Sequence, residues 1–267
     1  MTRIFMAIGV MLGSCGTPAL EVEPDPTCDG FYGQPNENTG LDSETCGPVV
    51  EGEALTWTPR SWDEAALTDL RSRQLVNPPE VPNDDPYVAT PDLVPDSESV
   101  CAVTLLEDET YRLETFSDAV TAHEAGAIVT HGGACGLCSS LEDLAAYAGT
   151  PDLTQPVRSC GLRGLGGDID GVDTCIQELG FTPACARIWA YNVNATRESC
   201  QSICISLLAD PYHLPDGSLN ACLQCDEDNS GPVFKSVAGR TRRNSGLATA
   251  LCRPCETVWR LDHVYAL

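Results

Sequence analysis

The sequence predicts a mainly helical α+β domain, with a small β element near residues 109–131, many disulfides and a disordered N-terminal tether. Three observations support this prediction. The amino-acid composition changes near residue 100, and twelve of the fifteen cysteines follow that point. Most of the chain beyond residue 138 has the three- and four-residue apolar spacing of amphipathic helices. We therefore assign residues 100–267 to a single cysteine-rich domain.

The N-terminus has the features of an export signal. In MTRIFMAIGVMLGS, Arg3 precedes an apolar run that is too short to span a bilayer, which predicts a signal peptide over residues 1–14. The run ends in Leu-Gly-Ser-Cys15 and resembles the bacterial lipobox. This resemblance implies that Cys15 is lipidated and inserts into the membrane, and Gly16 in place of aspartate implies the outer membrane. The alternative is an ordinary secretory signal, with Cys15 in a disulfide.

The charge of the chain excludes one class of partner. The formal net charge is −24 and becomes −25 when residues 1–14 are removed with Arg3. Binding to nucleic acid through phosphates needs a basic surface, so we expect no nucleic-acid partner. Residues 16–99 hold twelve of the nineteen prolines and eighteen acids against three bases. This composition predicts an acidic, Pro-rich tether over residues 15–99, interrupted by a short helix at Ser61–Arg73.

The order of elements within residues 100–267 follows from periodicity and capping signals. Alternation predicts strands at Tyr111–Phe116 and Ala127–His131, with a short helix at Ser117–Glu124 between them. A serine cap predicts another helix from Ser139 to Tyr147. Further helices are predicted at Asp173–Leu179, Pro183–Leu207, Leu219–Glu227, Pro232–Arg243 and Leu247–Trp259.

The cysteines predict a disulfide framework. Apart from Cys15 there are fourteen, two before residue 100 and twelve after it, so up to seven bridges can form. Cys200 and Cys204 lie one turn apart on the longest predicted helix. Side chains on adjacent turns are nearly parallel, so we expect each cysteine to bond to another helix. Spacing alone does not assign the remaining pairs.

The stretch HGGACGLC, residues 131–138, has three interpretations. A strand, a CxxC and a capped helix resemble the active-site edge of thioredoxin-like proteins, which implies a redox dithiol of Cys135 and Cys138. The chain departs from that family after Pro183, where a long helix replaces the expected β-hairpin. His131 with both cysteines could instead bind zinc or copper. An oxidising compartment favours the third interpretation, a bridged corner without metal or cofactor.

The densest basic cluster suggests an anion site. Four of the eleven bases after residue 99 lie within nine residues: Lys235, Arg240, Arg242 and Arg243. Guanidinium groups bind carboxylate or phosphate through paired hydrogen bonds, which makes these four residues candidate ligands of a small anion. Alternatively, they balance the acids and the helix dipole. Asp226 and Glu227 precede the cluster and, with His131, are candidate catalytic groups of a pocket enzyme.

Several of these motifs occur together in one resemblance. The segments VTH at 129–131, CGLCS at 135–139, NACLQCDE at 220–227 and AGRTRRNSG at 238–246 resemble a cysteine-rich exported family of microbial eukaryotes and bacteria. The resemblance covers about residues 100–267 and implies no known activity. We therefore expect a lipid-anchored binding or interaction module in the cell envelope, on the periplasmic or surface face. Its partner would be a small anion or a protein, and the alternative is an enzyme, either a thiol oxidoreductase or a metal-binding or hydrolytic pocket enzyme.

Overall fold

The computed structural model describes residues 60–88, 98–164, 167–251 and 258–265. These residues form a mostly helical α+β fold with one small sheet, as predicted. The strands are β1 (Gln74–Leu75), β2 (Val100–Leu105), β3 (Thr110–Phe116) and β4 (Ile128–Gly132). The helices are α1 (Glu64–Ser72), α2 (Ala119–Glu124), α3 (Leu141–Gly149), α4 (Thr154–Arg163), α5 (Ile169–Glu178), α6 (Pro183–Ser206), α7 (Ala221–Asn229), α8 (Gly231–Ala238) and α9 (Arg242–Ser245). The predicted signal peptide and Cys15 lie outside the described residues.

The sheet has the strand order β1-β3-β2-β4. Strand β2 pairs antiparallel with both β3 and β4, while the short β1 runs parallel to β3. The two predicted strands are confirmed as β3 and β4, and β2 was not predicted. Its first four residues, VCAV, are all buried. A central strand covered on both faces lacks the alternation that identifies a half-exposed strand.

Helix α6 organises the helical part of the molecule, and α4, α5, α7 and α8 pack against it. Its first turn begins as predicted, with Pro183 at the N-terminus and the Thr182 hydroxyl accepting a hydrogen bond from Cys185 N. The predicted apolar face is buried at Cys185, Ile188 and Cys200. The long amphipathic helix of the sequence analysis is therefore confirmed.

Three helical segments differ from the prediction. Helix α4 was not predicted, although it forms part of the fold. Helix α8 ends at Ala238 rather than at Arg243, because Gly239 adopts a φ of 74° that ends the helix. The predicted helix at Leu247–Trp259 is absent from residues 247–251, and residues 252–257 lie outside the described ones.

Residues 60–88 pack on the domain, although their composition predicted part of the tether. Helix α1 forms as expected, but Asp63 rather than Ser61 caps it, accepting a hydrogen bond from Ala66 N at 2.8 Å. Leu67 and Leu70 are 6% and 2% exposed and belong to the main hydrophobic core. Burying each of them contributes about 1.5–3 kcal/mol, enough to hold this short helix against α3.

Five disulfides connect the described residues. They join Cys101 to Cys135, Cys138 to Cys185, Cys160 to Cys175, Cys200 to Cys225, and Cys204 to Cys222. The last two connect α6 to α7, so Cys200 and Cys204 each bond to another helix, as predicted. A framework of this density is typical of proteins exported to an oxidising compartment.

Candidate functional site

The HGGACGLC stretch is a doubly bridged corner between β4 and α3. Cys135 is bonded to Cys101 of β2, and Cys138 is bonded to Cys185 of α6. The two cysteines do not bond to each other, and neither keeps a thiol. This pairing contradicts the redox dithiol and the metal clip, and it leaves the bridged corner of the third interpretation.

The corner also caps helix α8. The main-chain N–H groups of Leu137 and Cys138 donate to the carbonyls of Val237 and Ala238 at 3.0 and 2.9 Å. A Cβ atom on Gly136 would lie 2.5 Å from the Val237 carbonyl oxygen, so only glycine fits there. Helix α8 and the corner therefore meet backbone to backbone.

His131 is fully buried beneath this corner. Its Nδ1 lies 2.9 Å from the Gly132 carbonyl, which only accepts, so Nδ1 carries the proton. Its Nε2 then accepts from the Ser139 hydroxyl at 2.7 Å, and Ser139 Oγ accepts from Gly136 N. Burial and, to a smaller extent, the charge of Arg240 lower the pKa of His131 to about 3. This serine–histidine pair has the spacing of a nucleophile and its base, but both side chains are 0% exposed, so no substrate reaches them.

Arg240, one of the predicted anion ligands, lies in the core. Its guanidinium donates to the carbonyls of Thr130, Cys138 and Ser139 at 2.9–3.0 Å. The remaining donors reach the Thr130 and Ser245 hydroxyls. Every N–H of the group is used, and the side chain is 0% exposed. Burial lowers the pKa of Arg240, and the surrounding carbonyls solvate its charge. It therefore joins β4, the corner and α9, and it is not available to bind a ligand.

The other three predicted anion ligands lie around a cavity. Arg242 donates to the carbonyls of Tyr147, Thr150 and Ala248, and burial lowers its pKa to about 10. Lys235 pairs with Glu227 at 3.5 Å. Arg243 also lines the cavity, and its main-chain carbonyl accepts from Trp259 N. The cluster therefore does not converge on a single anion.

The cavity has a volume of about 450 Å³ and lies between α4, α6, α7, α8 and the segment that follows α9. Its wall is mainly apolar and includes Val157, Trp189, Val193, Leu223, Phe234 and Leu247. Within this wall the Trp189 ring packs against the Phe234 ring, with the two ring centroids 4.6 Å apart. Leu162, Ile205 and Leu208 line the same cavity and are more than half exposed. The cavity is therefore a partly open, mainly apolar site with an apolar rim.

The candidate acids also line this cavity, but the protein itself engages them. Asp226 Oδ1 accepts hydrogen bonds from the hydroxyls of Thr196 and Ser230. Glu227 is the ion-pair partner of Lys235. The structure thus brings together Asp226, Glu227, Lys235, Arg242 and Arg243. It leaves His131, Cys135, Cys138 and Arg240 out of the cavity lining.

Arg158 of α4 is a cavity residue that sequence reasoning missed. Its guanidinium lies 5.5 Å from the centroid of the Tyr212 ring and makes one long contact, of 3.8 Å, with Cys222 Sγ. It forms no ion pair with a described carboxylate. An isolated arginine on a helix that was not predicted gave no signal in the sequence.

The described residues contain neither a candidate metal site nor a candidate membrane-spanning helix. No group of three or more histidine, cysteine, aspartate or glutamate side chains is arranged to hold a metal ion. Among the same residues, no helix is both long enough and apolar enough to cross a membrane.

Comparison with known proteins gives one match. The model of a family of unknown function, DUF8771, matches residues 169–261. No curated protein and no solved structure matches the chain. The matched segment contains α6, α7 and α8, which form much of the cavity wall, whereas α4 and Arg158 precede it.

Proposed function

We propose that this domain is an exported binding module that holds a small, elongated and mostly apolar molecule in the cavity between α4, α6 and α7. The observation that carries the proposal is the cavity itself. Its volume of about 450 Å³ falls within the range of small-molecule sites, about 300–1,000 Å³. Its mainly apolar lining, with a smaller share of polar groups, is the usual composition of such sites.

The surrounding side chains favour binding over catalysis. Ser139 and His131, which have the spacing of a nucleophile and its base, are completely buried. Asp226 and Glu227 are held by hydrogen bonds and by an ion pair. Catalysis needs a group that reaches the substrate with a proton to move, and these groups are engaged within the protein.

The rim supports a ligand with a long apolar body. Leu162, Ile205 and Leu208 are 66%, 60% and 56% exposed, and they extend the apolar wall of the cavity toward solvent. A ligand of about 20 non-hydrogen atoms at about 0.3 kcal/mol each would bind with about 6 kcal/mol, a Kd of about 40 μM. Ordinary equilibrium titration measures binding in this range.

A variant that fills the cavity tests the proposal. Val157 lines the cavity, so Val157→Trp should occupy its interior and weaken the binding of the neutral apolar dye Nile red by at least about tenfold. Dye fluorescence during titration measures the affinity. Val120→Trp is the matched control, because Val120 is 67% exposed on α2 and does not line the cavity.

Two results would contradict the proposal. One is the absence of saturable dye binding to the unmodified domain. The other is equal binding by both tryptophan variants. Either result would show that the cavity does not act as a binding site for an apolar molecule.

The module is further proposed to be anchored in the outer membrane through lipid on Cys15. The support is the lipobox-like sequence at residues 12–15, together with a disulfide framework suited to an oxidising compartment. Cys15→Ser should move the full chain from the membrane fraction of a bacterial host to its soluble periplasmic fraction. Mass spectrometry of the unmodified protein should show the added acyl mass. Equal membrane association of the variant, or an unmodified Cys15, would refute the anchor.

A further inference from the structure

We propose that the molecule held in the cavity is a long-chain monocarboxylate, whose carboxylate pairs with Arg158. This inference rests on the proposed function and adds the chemical class of the ligand. It also assigns the polar anchor to a residue of α4, outside the basic cluster between residues 235 and 243.

The contacts of the cavity-lining cations single out Arg158. Arg242 donates to three main-chain carbonyls, and Lys235 pairs with Glu227. Arg197 donates to the Gly164 carbonyl and to the Asn194 side chain. Each of these groups is held by a partner in the protein, and Arg243 also has an interaction partner. Arg158 has an aromatic ring on one side and a single long sulfur contact, so it retains donors for an anion.

The setting of Arg158 favours a carboxylate. Its neighbours are the Tyr212 ring and Cys222, whose sulfur is in the disulfide with Cys204. Neither neighbour carries a negative charge that would neutralise the guanidinium. An arginine bordered by apolar groups binds a carboxylate through two parallel hydrogen bonds, and these are stronger where water is partly excluded.

The acids near this end of the cavity are already engaged. Asp152 accepts from Thr154 N at 2.8 Å and from the Tyr212 hydroxyl at 3.1 Å. Asp226, on the wall formed by α7, accepts from Thr196 and Ser230. These hydrogen bonds hold both carboxylates in place, and no ion pair forms between Asp152 and Arg158. Five basic residues line the cavity against three acids, so its charge favours an anionic group: Arg158, Arg197, Lys235, Arg242 and Arg243 against Asp152, Asp226 and Glu227.

The apolar wall determines the rest of the ligand. Val157 precedes Arg158 on α4, and Val193 and Leu223 line the same cavity from α6 and α7. A small anion such as sulfate or acetate would leave this surface unfilled. A carboxylate with a long alkyl chain uses the arginine and the apolar wall together.

The test compares dodecanoate with dodecanol, which has the same chain and no charge. Each is titrated into the disulfide-intact domain and measured by displacement of Nile red. Dodecanoate should bind the unmodified domain at least about tenfold more tightly than dodecanol. Arg158→Gln should remove this preference by weakening dodecanoate alone, and Arg158→Lys should restore part of it because a single charge remains.

Arg163→Gln is the matched control. Arg163 lies on the same helix, pairs with Glu178 on the surface and does not line the cavity. Its loss changes the net charge by the same amount and should leave the preference for dodecanoate unchanged. Thermal unfolding of each variant checks that the fold is intact.

The outcomes separate the two proposals. If dodecanol displaces the dye as well as dodecanoate does, and Arg158→Gln changes neither, the carboxylate inference is overturned while the apolar binding site stands. If Arg163→Gln has the same effect as Arg158→Gln, the preference is a general charge effect and the assignment to Arg158 is overturned. If the dye does not bind to the unmodified domain, the proposed function fails, and this inference fails with it.

Discussion

Gly136 and Gly239 face each other where the corner after β4 meets the end of α8. A Cβ atom on Gly239 would lie 2.6 Å from Gly136 N and 2.9 Å from the Ala134 carbonyl oxygen. The close approach lets the N–H groups of Leu137 and Cys138 reach the last carbonyls of α8. At the scale of single residues, one close backbone contact therefore explains why both HGGACGLC and AGRTRRNSG have a glycine at this point.

This contact predicts the effect of Gly239→Ala. Gly126 has the same φ of 74°, but a Cβ atom there would meet nothing within 4 Å, so Gly126→Ala is a control for a side chain at positive φ without the overlap. Gly126→Ala should cost about 1–2 kcal/mol of unfolding free energy. Gly239→Ala should cost about 2 kcal/mol more, because the added methyl group overlaps backbone atoms that cannot move aside. Urea unfolding measures both values, and equal losses would show that the close approach does not limit this position.

In the basic cluster, the residue types indicated which residues lie near a cavity, but they did not indicate which of them bind main-chain carbonyls instead of a ligand. Lys235, Arg242 and Arg243 line the cavity, as expected of residues near a site. Arg240, two residues before Arg242, is instead 0% exposed and donates to main-chain carbonyls. A guanidinium binds carbonyl oxygens and ligand carboxylates with the same donors, so the sequence could not distinguish the two uses.

At the scale of secondary-structure elements, apolar spacing and capping residues predicted the helices and strands whose formation depends on nearby residues. The long helix α6 was predicted from its apolar spacing and its N-terminal proline, and strands β3 and β4 from alternation. Strand β2 was missed because both of its faces are covered. Residues 247–251 were predicted to be helical, yet α9 ends at Ser245, and the next residue, Gly246, adopts a left-handed φ of 62°. Nothing in the apolar pattern after Gly246 indicates that turn.

Helix α4 explains why the candidate anchor was missed. Its sequence TQPVRSCGLR contains Pro156 and Gly161, two residues that lower helix propensity, and it has no side-chain cap. Tertiary packing against α5 and the Cys160–Cys175 disulfide hold it in place. Arg158 becomes notable only when α4 lies beside α6 and α7, so its position depends on contacts between distant segments and not on a motif.

At the scale of the whole molecule, the disulfides differ in the length of chain that they close. Cys138–Cys185 joins the corner after β4 to the first turn of α6 and spans 47 residues. Cys160–Cys175 joins neighbouring helices and spans 15 residues. The first connects the sheet region to the central helix, and the second reinforces a local helix pair. Cross-links that close longer loops restrict the unfolded chain more strongly.

The loop lengths predict the relative cost of removing each bridge. Loop closure assigns about 4 kcal/mol to Cys138–Cys185 and about 3 kcal/mol to Cys160–Cys175, a difference of about 1 kcal/mol. The double variants Cys138→Ala with Cys185→Ala, and Cys160→Ala with Cys175→Ala, are well matched because all four side chains are at most 5% exposed. Urea unfolding of the two variants measures the difference directly. A larger loss for Cys160–Cys175 would mean that local packing of α4 against α5, rather than restriction of the unfolded chain, dominates its contribution. The walls of the cavity would then depend mainly on that short bridge, and its removal should also weaken dye binding.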